Sequence, residues 1–392
     1  MELLGSLMSF LQGLLISTLF VVHLMTTAAS GLITSLSSSY SNSPAPAVST
    51  STQESPSPST TISVQTPPAT TTATTIATST KKAIAKKFAI PVKTASSSPP
   101  TPPIPQTPLL SSEQVNENAR ASIVNILCTS ISSGGVRSIS GSGVIIDSRG
   151  IILTNAHIGQ YFLLRDYPTK NAVDCTIRTG SPARPLYRAE LLYLPPAWIN
   201  ENASQITSDH AMGTGENDYA FLRITSTTNP SGTLPAIFTN LPMTTAVSTG
   251  DPVLVAGYPA SFLDAQTIER DLYATSAFTA IGQLYTFNDP THVDVVSLGG
   301  TVVSQGGSSG GAVVRTYDGK LSGLIATASS GTTTADRDLR AITVGYLDRS
   351  LSEAGKGGLV EFLSQNLDTI ESNFGSTFAQ EKQQLVTVLS GH

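Results

Sequence analysis

Three short segments hold the residue types that acyl transfer requires, in the order histidine, aspartate, serine. They are Leu153–His157, Asn217–Leu222 and Gly306–Gly311, and each lies next to apolar, strand-like sequence. A hydroxyl is a weak nucleophile at neutral pH, so it needs a base to take its proton and a third group to hold that base in one tautomer. Because unrelated folds place these residue types in different chain orders, the order in this chain is itself informative.

The glycine-flanked serine is Ser309. A glycine two residues before it, Gly307, allows the N–H groups of Gly307 and Ser309 to turn inward as an oxyanion hole, and Gly310 leaves room for a substrate. The apolar run that follows the loop, Ala312–Val314, is what a nucleophile mounted on a strand would show. Taken alone the run of glycine and serine is a weak signal, because such runs also form ordinary tight turns.

The strands next to His157 and Asp218 support a catalytic role for these two residues. His157 follows an apolar strand, where a single histidine is more often structural than catalytic. Asp218 begins an alternating apolar strand, whereas its rival Asp209 lies in a polar loop with no strand after it. Since all three residue types occur in one order and one context, we predict a triad in which His157 is the base, Asp218 orients it and Ser309 is the nucleophile.

The elements that must position this triad are predicted to be short strands. Apolar runs with period-two alternation recur at near-regular spacing from residue 122 to 326, and the Asp318-Gly319 pair is a strong hairpin signal. We therefore predict an all-β fold of sandwich or barrel type, in which two six-stranded halves account for the number of strands. After Leu351 the apolar residues recur at helical spacing, which predicts short C-terminal helices over 356–392.

The N-terminal third has a different character. The stretch Leu7–Ala29 is apolar and long enough to cross a bilayer, which predicts a transmembrane signal-anchor over 1–33. A signal peptide cleaved near Thr27–Ala29 is the alternative. Residues 34–112 are rich in Ser, Thr and Pro and are predicted to be a disordered linker. Within it, Lys81–Phe88 is either a basic amphipathic helix or a solvated charge run.

Composition excludes several classes of function. Charged residues make up 12% of the chain and the net charge is −5, so no basic surface suggests nucleic acid. Five scattered histidines and two cysteines lack metal-ligand spacing, so we expect no metal ion and no organic cofactor. The sequence does not predict an oligomeric state.

The motifs around His157, Asp218 and Ser309 together resemble those of one known family. Gly141–His157 resembles the HtrA-like branch of the trypsin-like (chymotrypsin-fold) serine proteases. Asp218–Ile224 matches the catalytic-aspartate strand of that branch, Gly307–Ala312 its nucleophile loop and Gly323–Ile325 the strand beside its substrate cleft. The resemblance implies a protease domain over 113–355, built of two perpendicular six-stranded Greek-key β-barrels with the active site in the crevice between them.

Three departures from the family pattern bear on function. No room remains after the protease domain for the C-terminal PDZ module that HtrA enzymes usually carry. Ser308 stands where trypsin-type zymogens place an aspartate that pairs with a new N-terminus, so activation by that ion pair is not expected. The segment Pro195–Asn217 reads as an insertion that could border the cleft.

The resemblance also implies which residues line the substrate-binding site. They are Val303, Ser304, Gln305, Leu324 and Ile325. Since no acidic residue lies among those before the serine, we expect a small or medium apolar residue at P1, the substrate position before the scissile bond.

The two cysteines permit a structural inference from the same resemblance. In such a barrel the first and fourth strands are neighbours, and Cys128 and Cys175 lie on the predicted first and fourth strands. A disulfide is plausible in an extracytoplasmic setting, and two buried free thiols remain open as the alternative.

The sequence thus predicts a membrane-tethered, extracytoplasmic serine endopeptidase that cleaves polypeptides through an acyl-enzyme. A catalytically idle protease-like module that binds proteins at the cell surface is one alternative. A structural cell-surface protein, for which the linker is the evidence, is another.

Overall fold

The structure is a computed structural model, and it describes residues 90–91, 108–132, 135–208, 213–329 and 331–391. The predicted membrane span, the charge run Lys81–Phe88 and nearly all of the predicted linker lie outside these residues. Within the described residues, no helix combines the length and apolarity needed to cross a bilayer.

Fourteen strands and seven α-helices make up the described part of the chain. The strands are β1 (Ile90–Pro91), β2 (Ile123–Ser132), β3 (Gly135–Asp147), β4 (Ile151–Thr154), β5 (Val173–Thr179), β6 (Arg184–Tyr193), β7 (Ala220–Thr227), β8 (Pro252–Gly257), β9 (Thr275–Ala280), β10 (Leu284–Thr286), β11 (Val295–Ser297), β12 (Ala312–Arg315), β13 (Leu321–Ala328) and β14 (Leu339–Thr343). The helices are α1 (Ser112–Ser122), α2 (Ala156–Leu163), α3 (Pro196–Asn202), α4 (Ala265–Arg270), α5 (Val344–Glu353), α6 (Gly358–Ser364) and α7 (Leu367–Leu389), and a 3₁₀ helix spans Ala203–Thr207.

The first half of the domain is a closed six-stranded barrel in the order β2-β3-β4-β7-β6-β5. Alternation along each strand explains why it closes around an apolar core: Val124 and Ile126 of β2 face inward together with Ile152, Leu222 and Ile224. The predicted first barrel is confirmed. Its order brings the end of β4 beside the start of β7, where His157 and Asp218 follow and precede these strands.

The second half differs from the predicted six-stranded barrel. It is an eight-stranded sheet in the order β1-β10-β11-β14-β13-β12-β8-β9. Because β11 bonds to β10 on one edge and to β14 on the other, no strand edge remains for β9. Instead the sheet curls so that isolated hydrogen bonds bridge the gap, from Gly282 N to Ser297 O (2.8 Å) and from Thr279 Oγ1 to Leu298 O (3.0 Å).

Three of the eight strands were not expected, and one of them is β14, which lies beyond the predicted run of strands over 122–326. Within that run, residues 281–283 separate β9 from β10, so that two strands form where one continuous strand would fit. The two-residue strand β1 pairs with β10, with Ile90 opposite Thr286, and lies inside the segment predicted to be a disordered linker. The proline in β1 suits an edge position, since proline donates no ladder hydrogen bond.

The C-terminal helices pack on the protease domain. The short C-terminal helices predicted over 356–392 are the short α6 and one long helix, α7, which begins at Leu367 after the cap residue Asn366. Phe362 and Phe374 lie against aromatic side chains of the first barrel, with ring centroids 4.9 Å apart for both Phe221–Phe362 and Tyr193–Phe374. The segment predicted as a tail is therefore part of the hydrophobic core.

One residue of α7 makes stability depend on pH. Glu381 is 2% exposed, and neither of its carboxylate oxygens has a hydrogen-bond partner among the described residues. Burial raises the pKa of Glu381 from its ordinary value near 4.5 to about 8. A carboxyl that is held protonated in the folded state favours folding at low pH, and this contribution is lost as pH rises through 4.5 to 8.

We expect the free energy of unfolding to fall by roughly 1.4 kcal/mol per pH unit over that window on account of this one group. Denaturant titrations at pH 5 to 9 measure it. Glu381→Gln should remove this part of the slope and be more stable than the wild type at pH 9, whereas the exposed Glu353→Gln should leave the slope unchanged. Equal slopes in the wild type and Glu381→Gln would contradict the assignment.

Candidate active site

His157 lies at the end of the third barrel strand, in the first turn of α2. The chain leaves β4 at Thr154, and the extended backbone of Asn155 starts the helix. The Asn155 side chain donates from Nδ2 to the carbonyl oxygen of Asp218 at 2.9 Å, which ties the helix start to the start of β7. His157 is therefore placed by a strand end and a helix start together.

The His157 imidazole is locked to the Asp218 carboxylate. Nδ1 lies 2.8 Å from Oδ2 and 3.1 Å from Oδ1, and the backbone N–H of His157 donates to Oδ1 at 3.0 Å. Asp218 is buried, while 30% of the His157 side chain is exposed. Because a carboxylate accepts only, the proton sits on Nδ1 and Nε2 is left as an acceptor on the exposed side.

Helix α5 supports the aspartate from behind. Asn217 has a positive φ of 58°, and its N–H donates to the Tyr346 hydroxyl oxygen at 2.9 Å. The Tyr346 and Ser350 hydroxyls both donate to Asn217 Oδ1 at 3.2 Å. These two residues were not predicted from the sequence, because only the fold brings α5 to the residue before Asp218.

Two carbonyl oxygens of the nucleophile loop accept hydrogen bonds from backbone N–H groups. Gly306 O accepts from Ala260 N at 2.8 Å, and Ser308 O accepts from Gly311 N at 2.9 Å. In a trans peptide the C=O and the next N–H point in opposite directions, so the N–H groups of Gly307 and Ser309 point away from these partners. The positive φ of Gly307, 93°, makes this turn possible. That these two N–H groups form an oxyanion hole stays a prediction.

Ser142 of β3 clamps this loop. Its N–H donates to Ser309 O and its hydroxyl to Gly307 O, both at 2.7 Å. The N–H of Tyr258 donates to Ser142 Oγ at 2.9 Å, and Thr154 Oγ1 donates to Ser142 O at 2.7 Å. The first barrel therefore fixes a loop that belongs to the second sheet.

His157, Asp218 and Ser309 line one cleft of about 640 Å³. Of the predicted substrate-binding residues, Gln305 and Ile325 line it as well. Val303, Ser304 and Leu324 do not: they are fully buried, and Val303 and Leu324 belong to the hydrophobic core. Neighbouring residues of a strand or tight turn face opposite sides, which is why the side chains of these three turn away from the cleft. The rival aspartate, Asp209, lies outside the described residues.

One comparison with known proteins spans all three triad residues. A family model described as the trypsin-like peptidase domain matches residues 141–324, a range that includes His157, Asp218 and Ser309. The chain carries a trypsin-like peptidase domain. No curated protein matches the chain. Among solved structures, it is similar to an HtrA-type protease with a decapeptide, at 17% identity and a TM-score of 0.40, with 63% of this chain and 68% of that chain covered.

The insertion of this peptidase domain borders the cleft, as its position in the sequence suggested. Trp198 and Asn202 of α3 and Gln205 and Ile206 of the 3₁₀ helix line one side of it. Their elements pack against α7, whose Gln384 Nε2 donates to Asn200 Oδ1 at 2.7 Å. The C-terminal helix thus braces one wall of the cleft.

The two cysteines of the peptidase domain form a disulfide. Cys128 of β2 and Cys175 of β5 are register partners, and their sulfurs are bonded at 2.06 Å. The sequence left a disulfide and two free thiols as alternatives, and the structure contains the disulfide.

No group of three or more His, Cys, Asp or Glu residues within the described ranges is placed to hold a metal ion.

The His157–Asp218 pair predicts a pH dependence. Burial opposes the charged imidazole, but the charge of Asp218 and the hydrogen bond to it outweigh this, so the pKa of His157 lies above its ordinary value of 6.5. Only the neutral imidazole can accept a proton, so kcat/KM should rise with pH through a midpoint above 6.5. Asp218→Asn should move the His157 titration, followed by NMR, to lower pH. A midpoint at or below 6.5 in the wild type would contradict the assignment.

Proposed function

We propose that this chain is a serine endopeptidase that hydrolyses peptide bonds through an acyl-enzyme on Ser309. One observation carries the proposal. A histidine locked to a buried carboxylate lines the same cleft as Ser309, whose loop has a glycine of positive φ two residues before the serine. Each of these parts has a separate task in acyl transfer, and a module that only binds proteins needs none of them.

The parts act in sequence. Ser309 Oγ attacks the carbonyl carbon of the scissile bond while His157 Nε2 takes the hydroxyl proton. The N–H groups of Gly307 and Ser309 hold the oxyanion that forms, and Asp218 stabilises the imidazolium and keeps its tautomer. His157 then gives the proton to the leaving amine, which breaks the C–N bond. A water molecule hydrolyses the acyl-enzyme by the same steps, with His157 again as the base.

Polypeptides are the substrate class that the cleft suits. It runs from the nucleophile loop to the insertion at Trp198 and Gln205, and its 640 Å³ exceeds the room that one side chain requires. Residues on both sides of a cleaved bond can therefore be held at once.

We also propose that the domain is tethered to a membrane on its extracytoplasmic side. The support is the apolar stretch Leu7–Ala29 followed by a Ser/Thr/Pro-rich segment, together with a disulfide of the kind that persists in oxidising compartments. A topology reporter fused after Ser112 tests this. Reporter activity confined to the cytoplasm would reject it.

Labelling with a fluorophosphonate probe tests the catalytic proposal. The full-length wild type should react at Ser309, and Ser309→Ala should not react although it stays folded by circular dichroism. Ser364→Ala, which removes an exposed serine outside the cleft, is the matched control and should label like the wild type. If folded wild type fails to label, or if Ser309→Ala labels equally, the proposal is wrong.

A further inference from the structure

The cleft contains one charged side chain that the proposed reaction does not use. Among the described residues that line it, Tyr161 is neutral because burial raises its pKa to about 12, and only His157, Asp218 and Arg337 are charged or titrate near neutral pH. The first two are paired with each other. Arg337 forms no ion pair with any carboxylate of the described residues. A guanidinium stays protonated at every physiological pH, so it is a permanent positive charge in this cleft.

The acidic neighbours of Arg337 are engaged elsewhere. Asp336 accepts from the backbone and hydroxyl of Thr333. Asp338 binds the Ser297 hydroxyl and accepts from Arg340 Nε at 2.8 Å. Since each carboxylate already has hydrogen-bond or ionic partners, the charge of Arg337 has no counter-ion within the described residues.

The Arg337 side chain is held in place by hydrogen bonds that use only some of its N–H donors. Its Nη1 donates to Ser304 O at 3.2 Å and its Nε to Gly331 O at 3.3 Å, and the guanidinium lies 5.8 Å from the centre of the Phe262 ring. A guanidinium has five N–H donors, and these bonds use two. Three donors are left for a ligand, in a planar arrangement that matches a carboxylate.

The position of the guanidinium relates it to the scissile bond. Ser304, whose carbonyl holds it, lies five residues before Ser309 in the segment that forms one wall of the cleft. The strand end Ile325–Ser329 forms the facing wall and adds the polar side chains of Thr327 and Ser329. A P1 carbonyl held by Gly307 and Ser309 would therefore place its side chain between these walls, toward Arg337.

We propose that Arg337 is a specificity-determining residue that selects substrates with glutamate or aspartate at P1. This inference rests on the proposed peptidase function. It replaces the apolar preference expected from the sequence, which considered only the residues directly before Ser309. The proposed preference arises because a P1 carboxylate supplies the counter-ion that Arg337 lacks.

Fluorogenic peptides that differ only at P1 test the preference with the full-length protein. Peptides with P1 Glu or Asp should be cleaved with a kcat/KM about 10- to 100-fold above those with Gln or Asn, the range expected for hydrogen bonds to a charged group. Added salt should reduce the ratio, since screening weakens an exposed pair. A ratio near one, or a preference for Leu or Lys over Glu, would overturn the proposal.

Variants assign the preference to Arg337. Arg337→Gln should lower kcat/KM for P1 Glu to the level of P1 Gln while leaving the P1 Gln rate within about twofold, and Arg337→Lys should keep part of the preference. The control is Arg184→Gln, which also removes an arginine that donates to a backbone carbonyl, but far from the cleft. It should behave like the wild type.

The two proposals fail in distinguishable ways. If Arg337→Gln labels with fluorophosphonate and cleaves P1 Glu and P1 Gln peptides in the wild-type ratio, only the role of Arg337 is rejected. If no P1 peptide is cleaved and Ser309 does not label, the peptidase function is rejected, and the inference with it. If Arg337→Gln does not fold, the wild-type ratio and the Arg337→Lys variant decide the question.

Discussion

Ser309→Ala is expected to lower kcat for peptide hydrolysis by about 10⁶-fold, with the fold unchanged. The hydroxyl is the only group in the cleft that the proposed mechanism uses as a nucleophile, and its loop is clamped by backbone and Ser142 bonds that alanine keeps. Steady-state kinetics on one peptide, with thermal unfolding as the check on folding, measure the effect.

Combining Ser309→Ala with His157→Ala tests whether the two residues act together in one step. His157→Ala should cost about as much as Ser309→Ala, and the double variant should be no worse than either, because the two groups act in one proton transfer. Asp218→Asn should cost about 10⁴-fold, since it leaves the imidazole in place in the wrong tautomer. Losses in the double variant that equal the product of the single losses would contradict a triad.

Gly310→Ala is expected to lower kcat/KM by at least about 100-fold and the free energy of unfolding by about 1–3 kcal/mol or more. Gly310 has a φ of +85°, and a Cβ there would lie 2.0 Å from Ser142 O and 2.7 Å from Thr154 Oγ1. A backbone oxygen in a ladder cannot rotate away. The loop would therefore have to leave β3, which breaks the bond from Ser142 N to Ser309 O.

Gly250→Ala separates the steric effect from backbone strain. Gly250 has nearly the same φ, +86°, but no atom lies within 4 Å of the position that a Cβ would take there. This variant should lose only the stability that a positive φ costs and should keep its activity. Equal loss of activity in both variants would mean that the close approach of Gly310 to Ser142 is not what positions Ser309.

Local sequence was sufficient for the parts of the site that depend on short-range chemistry. A nucleophile loop needs glycine at positions of positive φ, and a strand that ends in a histidine or begins with an aspartate shows alternating apolar residues, so His157, Asp218 and Ser309 could be predicted. Period two along the strands predicted an all-β fold of sandwich or barrel type, because it specifies which face of each strand is buried, and the family resemblance implied the barrel.

Long-range packing decided what the sequence left open or predicted wrongly. Strand pairing beyond neighbours made the second half an eight-stranded sheet, since β10 occupies the edge of β11 that β9 would have needed. Registers between β2 and β5 placed Cys128 opposite Cys175. Which side chains face the cleft also depended on packing, and those of Val303 and Leu324 lie in the hydrophobic core.

The residues around the triad show most clearly which features local sequence predicts and which ones only the fold determines. Tyr346 donates to and accepts from Asn217, 129 positions earlier in the chain, and Arg337 enters the cleft from the segment before β14. Neither has a local signature, because a tyrosine in a helix and an arginine before a strand are common. The identity of the reacting groups follows from residue type and short spacing, whereas their support and the substrate they select follow from contacts that only the folded chain makes.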